Sequence, residues 1–212
     1  MLHIACVQVR NYEGRGTEYT AKLAAMVRRN VSIPHRFVCV TDDPFLEIEG
    51  VEIILAPTNL RNLRGWFTKL YLFAPGIFPK GERVLFFDLD TLILGNIDDF
   101  ASYVGPFAGL GDHRDGGGGG FGSGLMLWEA GTVDRIWTEW VRQAYPLGDG
   151  TDDSWIASQV PQAVRIQRVL PGIVSYKFHK CRDGPPKGAR VVCFQRHPKP
   201  HECEGWVSGV WR

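Results

Sequence analysis

The stretch Val84-Leu85-Phe86-Phe87-Asp88-Leu89-Asp90 decides how this sequence is read. Four apolar residues in a row mark a buried strand of the kind found inside parallel sheets. The run then ends in two carboxylates one residue apart. In an extended backbone Asp88 and Asp90 point to the same side. They would meet at the strand's carboxyl end, where open α/β sheets bind their ligands. Two like charges held that close repel, and a cation between them relieves the repulsion. Hard oxygen ligands favour Mg²⁺ or Mn²⁺, and Mg²⁺ is commonly held by one or two carboxylates plus phosphate oxygens. The pair reads as a divalent metal site facing a phosphorylated substrate; a solvated acidic pair at a strand-to-turn junction is the plainer alternative.

Composition narrows what surrounds this strand. With 212 residues the chain is long enough for one domain with a real core and short for two. A formal net charge of +1 gives no polyanion-binding surface, which argues against a nucleic-acid partner. No segment approaches 18 uninterrupted apolar residues, so no membrane span is expected. The start, Met1 to Val9, is apolar without a basic leader or small-residue cleavage site and reads as a first strand. Five cysteines, an odd number without paired spacing, suit a reducing cytoplasmic setting better than a disulfide framework.

Outward from the acidic strand, apolar runs alternate with helical patterns. His3 to Val9 is strand-like, and Thr17 to Asn30 carries Tyr19, Leu23, Met26 and Val27 at helical spacing with Thr17 as cap. Phe37 to Val40 is a short strand closed by the turn signal Thr41-Asp42-Asp43-Pro44, and Val51 to Leu55 is another. Gly65 to Phe73 reads as a helix with Trp66, Leu70 and Phe73 on one face. This β-α-β-β-α-β order predicts an α/β sheet with crossover helices. Further strands are expected at Phe107 to Leu110 and Gly124 to Trp128, flanking the glycine tract Gly116 to Gly120, a mobile loop. Thr132 is the expected cap of a helix whose stripe is Val133, Ile136, Trp137, Trp140, Val141 and Ala144. Beyond Leu147 the chain reads as irregular.

Two enzyme families place Asp-x-Asp after an apolar strand. Asp88-Leu89-Asp90-Thr91-Leu92 fits the string of the haloacid-dehalogenase-like phosphatases, and Gly148-Asp149-Gly150-Thr151-Asp152-Asp153 resembles their later metal motif. That later motif needs a strand before it, whereas here a helix end and Pro146 precede it. Their nucleophilic strand also opens the fold, whereas three strands come first here.

The second resemblance covers nearly the whole chain and is to the glycosyltransferases of the GT-A fold. It is nearest to the family 8-type enzymes: glycogenin, bacterial galactosyltransferase relatives and small bacterial or phage-borne members. Phe37 to Pro44 is similar to their second-strand signature, and Gly65-Trp66-Phe67-Thr68-Lys69-Leu70 to the helix that presents a basic residue to the donor. Phe121-Gly122-Ser123-Gly124-Leu125-Met126 resembles their Asn-Ser-Gly-Val-Met motif with Gly122 in place of asparagine. Asp152-Asp153-Ser154 falls where many carry Asp-Gln-Asp. Cys193 to His201 matches the family's final motif at Lys199-Pro200 but has Cys193 where the metal-ligand histidine stands.

The resemblance implies a GT-A fold with a mixed, mostly parallel central sheet flanked by helices. Residues 1–212 would form one domain, with 1–100 the nucleotide-binding half and 101–212 the acceptor-side half. Its activity would be metal-dependent transfer of a sugar from a nucleotide-sugar donor, a UDP-sugar, to an acceptor, with retention. Asp88 and Asp90 would hold Mn²⁺ or Mg²⁺ against the donor diphosphate, with Leu89 between them on the donor-binding side and Lys69 and Lys199 on the phosphates. Tyr12 would stack on the base, Thr41 and Asp42 would approach the nucleoside, and Asp152 or Asp153 would orient the sugar or take the acceptor's proton. The third metal ligand stays open among Cys193, His197, His201 and water; strand alternation from Cys193 and Gln195 favours His197. A relative that binds nucleotide sugar without turnover is the non-enzyme alternative. Cys193, His197, His201 and Cys203 also suggest zinc, although their spacing lacks the usual separated pairs. Lys177, Lys180, Arg182 and Lys187 would suit an anionic acceptor, a membrane surface or a plain solvated face.

Overall fold

The computed structural model describes residues 1–60, 65–113, 119–146 and 150–212. Arg114, Asp115 and Gly116 to Gly118 of the glycine-rich stretch, and Leu147, Gly148 and Asp149 of the phosphatase-like motif, lie outside the described residues. In chain order, β1 (Leu2–Gln8) leads into α1 (Glu18–Asn30), then β2 (His35–Thr41), β3 (Glu52–Leu55) and β4 (Arg83–Phe87). After these come β5 (Thr91–Ile93), a single turn α2 (Asp98–Ala101), β6 (Ala108–Gly111), β7 (Phe121–Glu129), α3 (Arg135–Arg142) and α4 (Asp152–Gln159). The chain closes with β8 (Val164–Arg165), β9 (Ile173–Ser175), β10 (Val191–Cys193) and α5 (Trp206–Val210).

The main sheet runs β3-β2-β1-β4-β7-β6-β8. Its first four strands are parallel, with Ile4 opposite both Phe37 and Leu85, while β7 is antiparallel to β4 and β6. Helices and loops cover both faces, so β1 and β4 are buried along almost their whole length, which is why they read as continuous apolar runs. On one face lie α1, the second sheet and α5; on the other lie Phe67, Leu70 and Phe73 with Ile136, Trp140 and Ile156 of α3 and α4.

Five expectations are corrected. Gly65–Phe73 is a 3-10 helix, not an α-helix. Three residues per turn align Phe67, Leu70 and Phe73 on one buried stripe and leave Trp66 43% exposed. Thr132 does not cap α3: its hydroxyl donates to Glu129 O at 2.7 Å and holds the turn after β7, so the helix begins at Arg135. The apolar stripe also stops early, with Val141 37% exposed and Ala144 past the helix end at φ 56°. Thr17 does precede α1, but its side chain makes no cap hydrogen bond.

The fifth correction matters most for the site. The region after residue 147, expected to be irregular, contains α4, α5 and three short strands. Two of these build a second sheet ordered β5-β10-β9. There Cys193 of β10 pairs with Thr91 of β5, immediately after Asp90. This pairing carries the C-terminal segment to the acidic pair from more than a hundred residues away. Among the described residues no helix is long and apolar enough to cross a membrane.

Candidate active site

A cavity of 770 Å³ opens at the carboxyl ends of β1 and β4. Asp88 and Asp90 both line it, but strand alternation is not what aims them there. β4 ends at Phe87, and Asp88-Leu89-Asp90 is a turn closed by Thr91 N donating to Asp88 O at 3.1 Å. The turn is anchored from β7, where Gly124 O accepts Asp88 N at 2.8 Å. Leu89 also touches the cavity while remaining 3% exposed.

Each carboxylate is met by its own lysine. Lys69 Nζ lies 2.9 Å from Asp88 Oδ1, 3.2 Å from Asp152 Oδ2 and 2.9 Å from Ser123 Oγ. Ser123 then ties both acidic residues at the start of α4 into the site. Its hydroxyl donates to Asp152 Oδ2 at 2.6 Å and its backbone N–H to Asp153 Oδ1 at 2.6 Å. Burial pulls the Lys69 ammonium down, but Asp152 and Asp88 more than offset it, so Lys69 stays firmly charged. Burial pushes the Asp88 carboxyl up, Lys69 pulls it back and Asp90 raises it again, leaving it above the ordinary range. Burial, then Asp152, raises Asp153 in the same way.

On the other side Lys199 Nζ stands 2.5 Å from Asp90 Oδ2 and donates to the Tyr12 hydroxyl at 3.1 Å. Tyr12 donates in turn to Asp90 Oδ2 at 3.4 Å. Burial and the Asp90 charge hold its phenol well above the usual range. Tyr12 thus lines the cavity beside the acidic pair.

The other expected site residues fall elsewhere. Thr41 is fully buried at the end of β2, its hydroxyl accepting from Asp43 N at 3.1 Å. Asp42 accepts from Arg10 N at 2.8 Å and borders shallow side pockets, while Arg10 reaches both these and the main cavity. His197 is not brought to the acidic pair. β10 ends at Cys193 and Arg196 takes φ 60°, so strand alternation does not carry on to residue 197. His197 is exposed, with Nδ1 2.9 Å from Glu202 Oε2. His201 Nδ1 is bound at 2.5 Å to the Tyr19 hydroxyl.

Of the candidate third ligands only Cys193 lines the cavity. Burial and the two aspartates push its thiol up, away from the thiolate that binds metals. Among the described residues no group of three or more His, Cys, Asp and Glu is placed to hold a metal ion, so the zinc cluster does not assemble.

Charge still fits a divalent cation. The described lining carries four cations, Arg10, Lys69, Arg196 and Lys199, against six carboxylates, Glu13, Asp88, Asp90, Asp112, Asp152 and Asp153. With two negative charges in excess, the described lining would repel a diphosphate unless a cation enters with it. The hard oxygens of Asp88 and Asp90 are the groups that would hold it, with phosphate and water completing the shell.

Ser123 and Gly124 were not singled out as site residues from sequence, although both sit in the quoted Gly-Ser-Gly stretch. A Cβ on Gly124 would stand 3.1 Å from Asp88 Oδ2 and 3.4 Å from Leu110 Cδ1. Gly124→Ala is therefore expected to displace the Asp88 carboxylate by a few tenths of an ångström. A crystal structure and a melting curve of the variant check this, the melting temperature staying within roughly 4 °C of wild type.

Neither a family model nor a curated protein matches the sequence. Solved structures do. The glycosyltransferase GlyE of Streptococcus pneumoniae TIGR4 in its apo form is similar at a TM-score of 0.64 and 15% identity, over 99% of this chain and 58% of that one. The chain therefore spans less than two thirds of GlyE. An active-site mutant of LgtC is similar at 0.67 and 14% identity, over 99% of this chain and 93% of that one. The galactosyltransferase LgtC in complex with donor and acceptor sugar analogs gives 0.62 and 15%, with 99% and 95% covered. At such identities the likeness is one of fold, and the chain has the GT-A fold of these glycosyltransferases.

Proposed function

We propose that this chain is a glycosyltransferase that moves a sugar from a nucleotide-sugar donor, a UDP-sugar, to a separate acceptor, using Mn²⁺ or Mg²⁺ held by Asp88 and Asp90. One observation carries the reading: two carboxylates and two lysines, Lys69 and Lys199, converge on one cavity at the carboxyl ends of β1 and β4. When bound, the metal supplies positive charge to the departing diphosphate. The chain's residues do the rest. Lys69 and Lys199, already fixed by their carboxylate partners, hold the phosphate oxygens as the sugar's C–O bond breaks. Asp152, occupied by Ser123 and Lys69, positions that lysine. Asp153, with its proton affinity raised by burial, is the carboxylate suited to take the acceptor hydroxyl's proton.

Tyr12 and the end of β1 form the nucleoside side in this reading. The first hundred residues serve the nucleotide and the remainder the acceptor, except that Lys199 returns to the donor. Retention of configuration and a cytoplasmic setting are proposed on the resemblance and on unpaired cysteine spacing respectively.

A phosphatase using Asp88 and Asp90 has little support, because β4 follows three strands and lies in a GT-A sheet. The nucleotide-sugar binder without turnover gains some from Cys193, which offers no ionised ligand. Thermal shift over a panel of nucleotide sugars, with and without Mn²⁺, followed by assay of donor hydrolysis, tests these readings. The enzyme reading predicts a metal-dependent rise in melting temperature with one UDP-sugar and release of its sugar. A rise without release selects the binder; p-nitrophenyl phosphate turnover without nucleotide binding selects the phosphatase.

A further inference from the structure

The cavity is also lined by a group to which the donor reading assigns no role. His113, two residues beyond β6, lines the cavity and is 8% exposed, and its Nε2 has no hydrogen-bond partner among the described residues. A buried polar nitrogen without a partner is uncommon in a folded protein and points to a bound water or ligand. Its setting is fixed. The Gln167 side chain clamps the end of β6, accepting from Gly111 N at 2.8 Å and donating to Gly111 O at 3.0 Å. The His179 ring meets His113 edge to face at 5.7 Å. Burial, then His179, pushes the imidazole down to about 4, against a smaller upward pull from Asp112, so it is neutral near pH 7.

Phe178, the residue before His179, lines the same cavity and is 42% exposed. Its backbone is fixed by Ser175, whose hydroxyl accepts Phe178 N at 3.2 Å and donates to Gln195 Oε1.

Sheet order sets the distance between His113 and the acidic pair. β1, on the proposed nucleoside side, flanks β4 on one edge, and β7 then β6 flank it on the other. At strand spacing β6 lies about 10 Å from β4. That leaves room for the transferred sugar over β7 before a second molecule reaches His113.

Resting on the donor reading above, we propose that His113 and Phe178 form the acceptor subsite and that the acceptor is a neutral sugar. The ring hydroxyls of a sugar supply the hydrogen-bond partner that His113 lacks, and its C–H face covers Phe178. An anionic acceptor is disfavoured by the excess of carboxylates over cations in the described lining of the cavity.

The test is ligand-observed NMR with methyl glycosides of glucose, galactose and N-acetylglucosamine, on the full chain with and without UDP and Mg²⁺. At least one glycoside should bind wild type, and His113→Phe and Phe178→Ala should each weaken it about tenfold or more. His113→Gln, which keeps a hydrogen-bonding group, should recover part of the affinity. Calorimetric affinity for Mg²⁺ with UDP should stay within about twofold of wild type in all three variants, which also reports that they are folded. No glycoside binding to wild type, or binding indifferent to both variants, overturns the acceptor subsite and means that water alone satisfies His113. Loss of UDP binding by wild type while glycosides still bind through His113 would instead sink the donor reading and leave the subsite standing.

Discussion

Asp90→Asn is expected to cut sugar transfer by roughly 10³-fold, the several kcal/mol by which a bound metal stabilises a departing diphosphate. Asp90 is 5% exposed, and its Oδ2 takes the Lys199 ammonium and the Tyr12 hydroxyl together. Asparagine keeps the shape but removes one of the two charges that would hold the cation. Lys199 then keeps Tyr12 and a distant Glu13 at 4.0 Å, so its position loosens as well. The fold should tolerate the change, because it also relieves the repulsion that raises Asp88. Steady-state rates with the matched UDP-sugar, beside a melting curve in the absence of nucleotide, separate loss of chemistry from loss of structure.

Lys69→Met should produce the largest change in stability. The Lys69 ammonium faces Asp88, Asp152 and the Ser123 hydroxyl, and the residue is 8% exposed. Removing it leaves the buried Asp152 without its counter-charge, a change that typically costs about 3 kcal/mol, while Asp88, 35% exposed along its side chain, is partly screened by solvent and adds less. The pH dependence has a definite sign. Asp88 and Asp153 already bind protons more tightly folded than unfolded, so their contribution to stability is greatest in acid and is lost as pH rises through their raised values. Without Lys69 that affinity rises further, so the variant's deficit should be largest near neutrality and shrink as pH falls. Chemical denaturation at several pH values measures it; a deficit independent of pH would mean that the lysine contributes packing alone.

Much of this site lay open in the sequence because its determinants are local. Continuous apolar runs such as Val84 to Phe87 follow from strands covered on both faces, and the acidic pair at the end of that run marks the sheet's ligand-binding edge. Lys199 is a different case: it follows from the family resemblance at Lys199-Pro200 and from no local pattern. What escaped detection depends on contacts far apart in sequence. Strands of three residues such as β10 leave no period to read, so the pairing of Cys193 with Thr91 was invisible. His197 was misplaced because alternation was assumed to run past the end of a strand that stops at Cys193. The 3-10 form of Gly65–Phe73 arises from its fit against the sheet, and its spacing of three and four residues fits an α-helix as well. The bonds from Ser123 to Asp152 and Asp153 join elements about thirty residues apart, and composition says nothing of them.

Titration of UDP into the protein by calorimetry, with Mn²⁺ and with the metal chelated, addresses the acidic pair most directly, using wild type and Asp90→Asn. Metal should tighten UDP binding to wild type by about 10²-fold or more, and the gain should vanish in the variant. Equal affinity with and without metal, or an undiminished gain in Asp90→Asn, would show that Asp88 and Asp90 do not hold a cation against the donor's diphosphate.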